Sequence, residues 1–342
     1  IVNSRAAIKL HDDALVKAHK EDSETAHARG WYIDGRLAAL QLSRDMHPDE
    51  LADGLKHLED FAIRNAGYIR VDVDGVWMDE VWDIVRFLTI LLNEEIPILS
   101  IGFDCSELKS DFHGLHLVAS GKHKVYVEHG ASVESQVLFD TSAGPVLIRK
   151  GAQVQAFTRV VGPCYIGENS IVGGDRVAAC SIGDNCRVHG EISNTILIGH
   201  SNKGHDGFVG HSILGRWVNL GAGTTTSNLK NTYGNVALWT PNGIRETGLQ
   251  FLGTMFGDHV KTGIGLVLTT GTVLGTAANV FERMPPKVVE PFAWGSSAPY
   301  GTYEPAKFVE AAGRMMSRRH VELTDTLRAS LLEVHAARWH TN

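Results

Sequence analysis

Aliphatic residues recur every six positions through the middle of the chain. Ile148, Val154, Val160, Ile166 and Val172 hold the interval unbroken. It resumes at Ile182 and Val188, at Ile192 and Ile198, at Leu214, Leu220 and Thr226, and at Leu268, Leu274 and Val280. A helix buries one face at a period of about 3.6 and an ordinary strand at a period of about 2, so six fits neither. It is the hexapeptide repeat of a left-handed parallel β-helix. Each six-residue side lays one aliphatic side chain into the stack, and small or polar residues turn the corner. Gly often follows the aliphatic residue, as in Ile166-Gly167, Ile182-Gly183, Ile198-Gly199 and Leu214-Gly215. These four pairs stand 16 residues apart, which predicts three sides with one shortened by two. An antiparallel sandwich would alternate instead and carry hairpin turns. One such turn, Asn242-Gly243, lies within 229–249, where the repeat lapses and a loop is expected to leave the coil.

The flanks read differently, so the chain is expected to be mainly β with three parts. Residues 1–120 read as α/β. Leu51, Leu55, Leu58 and Phe61 follow Pro48 at helical spacing. Val81, Ile84, Val85, Leu88, Leu91 and Leu92 predict a second helix, ended by Pro97 and followed by a short buried strand, Ile98-Leu99-Ser100-Ile101. The β-helix is expected over 121–283, closed by Pro285-Pro286 and Pro291. A helical tail fills 284–342, with Leu323, Leu327, Leu331 and Val334 as its apolar stripe and Arg314, Arg318 and Arg319 as a solvated face.

Composition narrows the partners. Lys and Arg number 32 against 39 Asp and Glu, a net charge of −7 that argues against nucleic-acid or anionic-membrane partners. Four Cys in 342 residues are no disulfide framework, so a reducing, cytoplasmic setting is expected. Cys164, Cys180 and Cys186 sit in the repeat as small inward fillers. No apolar run is long enough to span a membrane. The chain opens on Ile1 rather than Met, and residues upstream of it are expected.

A bare coil offers no deep pocket. Its sites form where adjacent subunits meet, and a homotrimer is the usual arrangement. The polar residues that interrupt the repeat are therefore informative, and they are densest over 199–232. Ser-Asn-Lys-Gly-His-Asp-Gly-Phe stands at 201–208, Trp-Val-Asn-Leu-Gly-Ala-Gly-Thr at 217–224, Asn-Leu-Lys-Asn at 228–231 and Gly-Asp-His-Val-Lys-Thr-Gly at 257–263. These motifs resemble the acetyltransferase half of the bifunctional glucosamine-1-phosphate N-acetyltransferase/UDP-N-acetylglucosamine pyrophosphorylase family. They are most similar to a branch of sugar nucleotidyltransferases that carries a left-handed β-helix. His205 precedes Asn219 by fourteen residues, as in that family. The resemblance spans roughly 121–295, and 1–120 only weakly.

What the resemblance implies is an acyl transfer from acetyl-CoA to an amino sugar or sugar phosphate. His205 would be the general base, Asn219 and Asn228 would hold carbonyl or acceptor, and the Ala222 N–H would face the oxyanion. Gly221, Gly223 and Thr224 would lie along the cofactor. Asn202, Lys203, Asp206, Lys230 and Lys261 would bind substrate, Lys203 and Lys261 at sugar or CoA phosphates. The chain departs from the family in Phe208 for a Tyr, Leu229 for a Tyr, and Ser193-Asn194 where an acceptor-phosphate Lys is usual. Two rivals remain. In one, the coil is only an oligomerisation scaffold for a nucleotidyltransferase, for which Mg2+ is implied if that domain is complete. Asp72 and Asp74 are its candidate carboxylates, and the phosphate-binding Leu-Thr-x-Thr-Arg-Pro segment of the branch is missing. In the other, His200, His205 and nearby His211 hold zinc, as in trimeric β-helix carbonic anhydrases.

Overall fold

The computed structural model describes residues 4–9, 28–41, 68–108, 116–119 and 121–340. The helix expected over Leu51–Phe61 lies outside the described residues. The chain divides into two compact units, Ile1–Phe87 and Leu88–Asn342.

In the first unit, Arg29–Ile33 is the central strand of a three-stranded sheet. It pairs antiparallel with Arg36–Gln41 and parallel with Ile69–Asp72. Asp34 and Gly35 both take positive φ in the two-residue turn, as a tight hairpin requires. Trp31, Ile33, Ala38, Ala39 and Val73 form the small core of this unit.

The helix that begins at Asp83 runs to Gly102, straight through Pro97. The expected stop at Pro97 and the buried strand after it are therefore corrected. Val85, Leu88, Ile96 and Ser100 are all buried at helical spacing on both sides of the proline. One continuous packed face outweighs the roughly 3 kcal/mol cost of an internal Pro. The Ser100 hydroxyl donates to the Pro97 carbonyl at 2.7 Å, and Ile101 stands exposed at the end.

From residue 125 onward the chain winds as a left-handed parallel β-helix with three walls. On one wall the inward column runs Ile148, Ile166, Ile182, Leu197, Leu214, Phe256, Leu274 and Val289, each paired in parallel with the next. The coil lengths between these partners are 18, 16, 15, 17, 42, 18 and 15 residues. The walls therefore shorten and lengthen from coil to coil, and the 42-residue step contains the extruded loop expected over 229–249. Within it, Ala237–Thr240 and Gly243–Glu246 make a hairpin turning on Pro241-Asn242.

The register corrects one core assignment. Leu197, not Ile198, takes the inward place; Leu197 is 1% exposed and Ile198 43%. Ile198 occupies the place that Gly183 and Gly215 hold on the neighbouring coils. Glycine is common there because stacked backbones nearly touch: a Cβ on Gly183 would lie 2.4 Å from the Ile198 carbonyl oxygen. Leu197→Ala should cost about 2–5 kcal/mol and Ile198→Ala under about 1 kcal/mol. Urea titration of both variants checks the register, and equal losses would refute it.

The coil also outlasts its expected end. Val288–Val289 pairs with Val273–Leu274, and Ala293–Gly295 with Asn279–Val280, so Pro285, Pro286 and Pro291 stand outside these strands. There no ladder N–H is needed. Cys164, Cys180 and Cys186 are fully buried in the stack, as expected.

At one corner every coil uses a residue with positive φ: Asn169, Asn185, His200, Trp217, His259, Ala277 and Phe292. The first two are Asn, which tolerates this conformation best. The later ones are mostly rings, and the tail helices dock on them. Phe308 of helix Pro305–Ser317 packs edge-on against His259 at 5.5 Å and Phe292 at 5.1 Å. The helix Asp325–Ala336 follows, and its His335 Nε2 donates to the Tyr303 carbonyl at 2.9 Å. The expected stripe is only half used. Leu323 and Leu331 join the ring cluster, whereas Leu327 and Val334 are exposed.

Candidate functional site

An open cleft of about 870 Å3 lies along the edge of the coil. It is lined by His189, His205, Asp206, Ala222, Phe281 and Arg283, among others. The sequence 204–208 turns a corner between two walls, which lifts His205 and Asp206 out of the stack. The turn is possible because Gly207 has φ +120, and a Cβ there would meet the Thr224 carbonyl at 2.2 Å. The next coil presents Ala222 and Gly223 beside it, and Gly223 N–H donates to the Asp206 carbonyl at 3.0 Å. The His205 imidazole is exposed, with no hydrogen-bond partner among the described residues. The Ala222 N–H likewise has no acceptor among them. Asp206 serves His189, not His205: its carboxylate lies 3.3 Å from His189 Nδ1. A proton acceptor and an unused N–H donor thus share one cleft.

His189 was not expected here. It stands one coil before His205, so the stacking of the repeat was the signal that could have found it. Ile264 directly follows the Gly257–Gly263 motif, and Phe281 and Arg283 come from the next coil, which the motifs do not mark.

The other expected site residues lie elsewhere. Asn202 and Asn219 stack on an outer wall with Lys261. The Asn202 amide donates to Asn219 Oδ1 at 3.1 Å, and Arg319 donates to Asn202 Oδ1 at 3.2 Å. They line a second, small pocket with His200, Trp217, Met315 and Arg318. Arg319, expected in a solvated face, is thus engaged with the coil. Asn228 faces a third direction, 2.8 Å from His211 Nδ1. A Cβ on Gly210 would lie 2.4 Å from the Phe208 ring and 2.8 Å from the Asn228 amide. Lys230 folds back onto the Asn235 carbonyl. Thr224 is buried, its hydroxyl bonded to the Gly221 carbonyl and Thr262, so it does not face a ligand.

Neither Lys203 nor Lys261 lines the cleft. Lys203 is 2% exposed, and burial pushes its ammonium down to about 8, against the pull of Asp206, Asp175 and Glu191. Lys261 is also brought to about 8 by burial, with its amine near the His259 carbonyl and Met315.

His200, His205 and His211 do not converge. His200 stacks on Trp217 at 4.2 Å and His211 on Phe251 at 5.2 Å, while His205 faces the cleft. Burial lowers His211 to about 4, and burial with the charge of Lys261 lowers His259 to about 3. Among the described residues no three His, Cys, Asp or Glu side chains form a metal-ligand group. In the first unit, Asp72 accepts from the Arg70 guanidinium at 3.0 Å.

No family model matches the chain. It is 27% identical over 241 residues to the bifunctional protein GlmU of Methanococcus vannielii, covering 66% of this chain and 47% of that protein. A bifunctional sugar-1-phosphate nucleotidylyltransferase/acetyltransferase of Sulfurisphaera tokodaii is 30% identical over 91 residues, 27% of this chain and 23% of that protein. The uncharacterized acetyltransferase YaiX of Escherichia coli is 27% identical over 180 residues, 52% of this chain and 75% of that protein. The chain thus spans about a quarter to a half of the bifunctional relatives. Over as much as two thirds of its own length, it is similar to GlmU-type transferases, and over about half to the YaiX acetyltransferases.

Proposed function

We propose that the β-helix transfers an acyl group from acyl-CoA, acetyl-CoA in the first instance, to the amine of an amino sugar or amino-sugar phosphate. The observation that carries this reading is the exposed, unpartnered His205 imidazole sharing a cleft with the unused Ala222 N–H. Neutral His205 takes a proton from the acceptor amine as its nitrogen bonds to the thioester carbonyl carbon. The carbonyl oxygen becomes an oxyanion beside the Ala222 N–H. The C–S bond then breaks, and the imidazolium returns its proton to the leaving CoA thiolate. Gly221 and Gly223 let the backbone approach the thioester closely.

The same reading includes a homotrimer in the cytoplasm. Ile264, Phe281 and Met284 are 81%, 42% and 60% exposed near the cleft rim, an apolar surface that a neighbouring coil would cover. Asn219 and Asn228 do not face this protomer's cleft, so substrate contacts from them are not part of the reading. A second reading keeps the coil as a scaffold for a sugar-phosphate nucleotidyltransferase. It is favoured by the engagement of Lys203, Lys230 and Asn228 with the protein itself.

The test is thiol release from acetyl-CoA with a panel of amino sugars and their 1-phosphates. Release that depends on one of these acceptors supports acyl transfer. Release with none of them favours the scaffold.

A further inference from the structure

One column of the coil interior breaks its own rule. Val154, Val172 and Val188 pair in succession on one wall, and the next member is Lys203. Leu220 follows on the coil after, since its neighbour Asn219 pairs with Asn202. A lysine in an aliphatic column costs free energy unless its ammonium finds acceptors. Lys203 finds two. Its Nζ donates to the His189 carbonyl at 2.6 Å and to the His205 carbonyl at 2.8 Å. These carbonyls belong to the two corners, on adjacent coils, that carry the cleft histidines. The fit is close: a Cβ on Gly190 would lie 2.8 Å from Nζ and 3.0 Å from the His205 carbonyl.

We propose that Lys203 is a positioning residue: its buried ammonium clamps the main chain at His189 and His205 and so fixes the His205 imidazole in the cleft. The role in turnover rests on the acyl-transfer reading; the clamp itself does not. A charge-assisted bond to each carbonyl is stronger than a neutral one, which explains why a lysine is used where a valine packs on the earlier coils. The corner over 204–207 holds exposed His205 and Asp206 and turns on Gly207 at φ +120. Apart from the clamp, the corner is tied by the Gly223 N–H donating to the Asp206 carbonyl at 3.0 Å and by the Asp206 carboxylate beside His189.

Lys203→Met is the variant of choice, because an apolar side chain suits the column. Amide hydrogen exchange on the unliganded protein should rise at residues 189–190 and 204–207 and stay unchanged in the Val154 and Val172 strands. In turnover, kcat should fall on the order of 10–100-fold while KM for acetyl-CoA changes little, as expected for a misplaced base. Unchanged exchange at both corners overturns the clamp. Unchanged kcat in an active protein overturns the positioning role. If the wild type transfers no acyl group, the acyl-transfer reading fails, and exchange alone still decides the clamp. Should the variant not fold, lysine-selective 15N labelling of the wild type decides it. A Lys203 ammonium with slowly exchanging protons supports the clamp, and rapid exchange refutes it.

Discussion

Acidification from pH 6.5 towards 3 should destabilise this protein by several kcal/mol, through two histidines away from the His205 cleft. His211 and His259 are held neutral in the fold, at about 4 and about 3, by burial first. Unfolded, each takes up a proton below about 6.5. The unfolded state therefore binds more protons across this window, and stability falls as pH falls. Fully realised, the shifts correspond to about 3 kcal/mol for His211 and 4–5 kcal/mol for His259, as order-of-magnitude ceilings. Above pH 6.5 both contributions are complete and the curve should flatten. His259 is the sharper case. Its Nδ1 is buried without a partner, Phe308 of the tail helix packs on its ring, and Lys261 adds a repelling charge. Protonation there should release the helix Pro305–Ser317 from the coil before the coil itself unfolds. His259→Phe should keep the ring contact and flatten the acid limb. Calorimetry from pH 7 to 4 on both proteins is the measurement. A Tm that does not move in the wild type would contradict this account.

The repeat made the coil readable because each coil must bury something at the same place. The period of six follows directly from that geometry, and every aliphatic residue on it except Ile198 lies inside. Ile198 failed because the coil lengths vary between 15 and 18 outside the extruded loop, and a fixed interval drifts across such a change. Pro97 misled for a different reason. The local cost of an internal proline is real, but Leu88, Ile96 and Ser100 share one buried face, and tertiary packing decides. Asp34-Gly35 is a dipeptide of the kind that closes two-residue hairpins, and it does so here.

The site was legible in part. His205 and Ala222 meet in the cleft because a motif on one coil and a motif on the next are stacked by the fold. Asn219 belongs to the same motif as Ala222, yet it lies mid-wall rather than at the corner and points to another pocket. Sequence proximity does not distinguish a wall from a corner; register does. Lys203 shows the limit most clearly. Its motif neighbours suggest a phosphate contact, whereas its alignment with Val188 puts it in the interior.

Replacement of His205 by Ala should lower kcat/KM for acyl transfer by about 10^2–10^4, the usual contribution of a positioned general base. That corresponds to about 3–5 kcal/mol of transition-state stabilisation. Stability should move by less than about 0.5 kcal/mol, because the imidazole is exposed and makes no hydrogen bond to the described residues. The contrast between lost rate and kept fold separates a chemical role from a structural one. His189→Ala should be milder, since its imidazole is engaged by Asp206 rather than free in the cleft. The most direct measurement is acetyl transfer itself, with the acetylated acceptor identified by mass spectrometry for wild type and His205→Ala under one set of conditions. The account predicts an acetylated amino sugar from the wild type and a loss of at least about a hundredfold in the variant. Equal rates from the two proteins would contradict it.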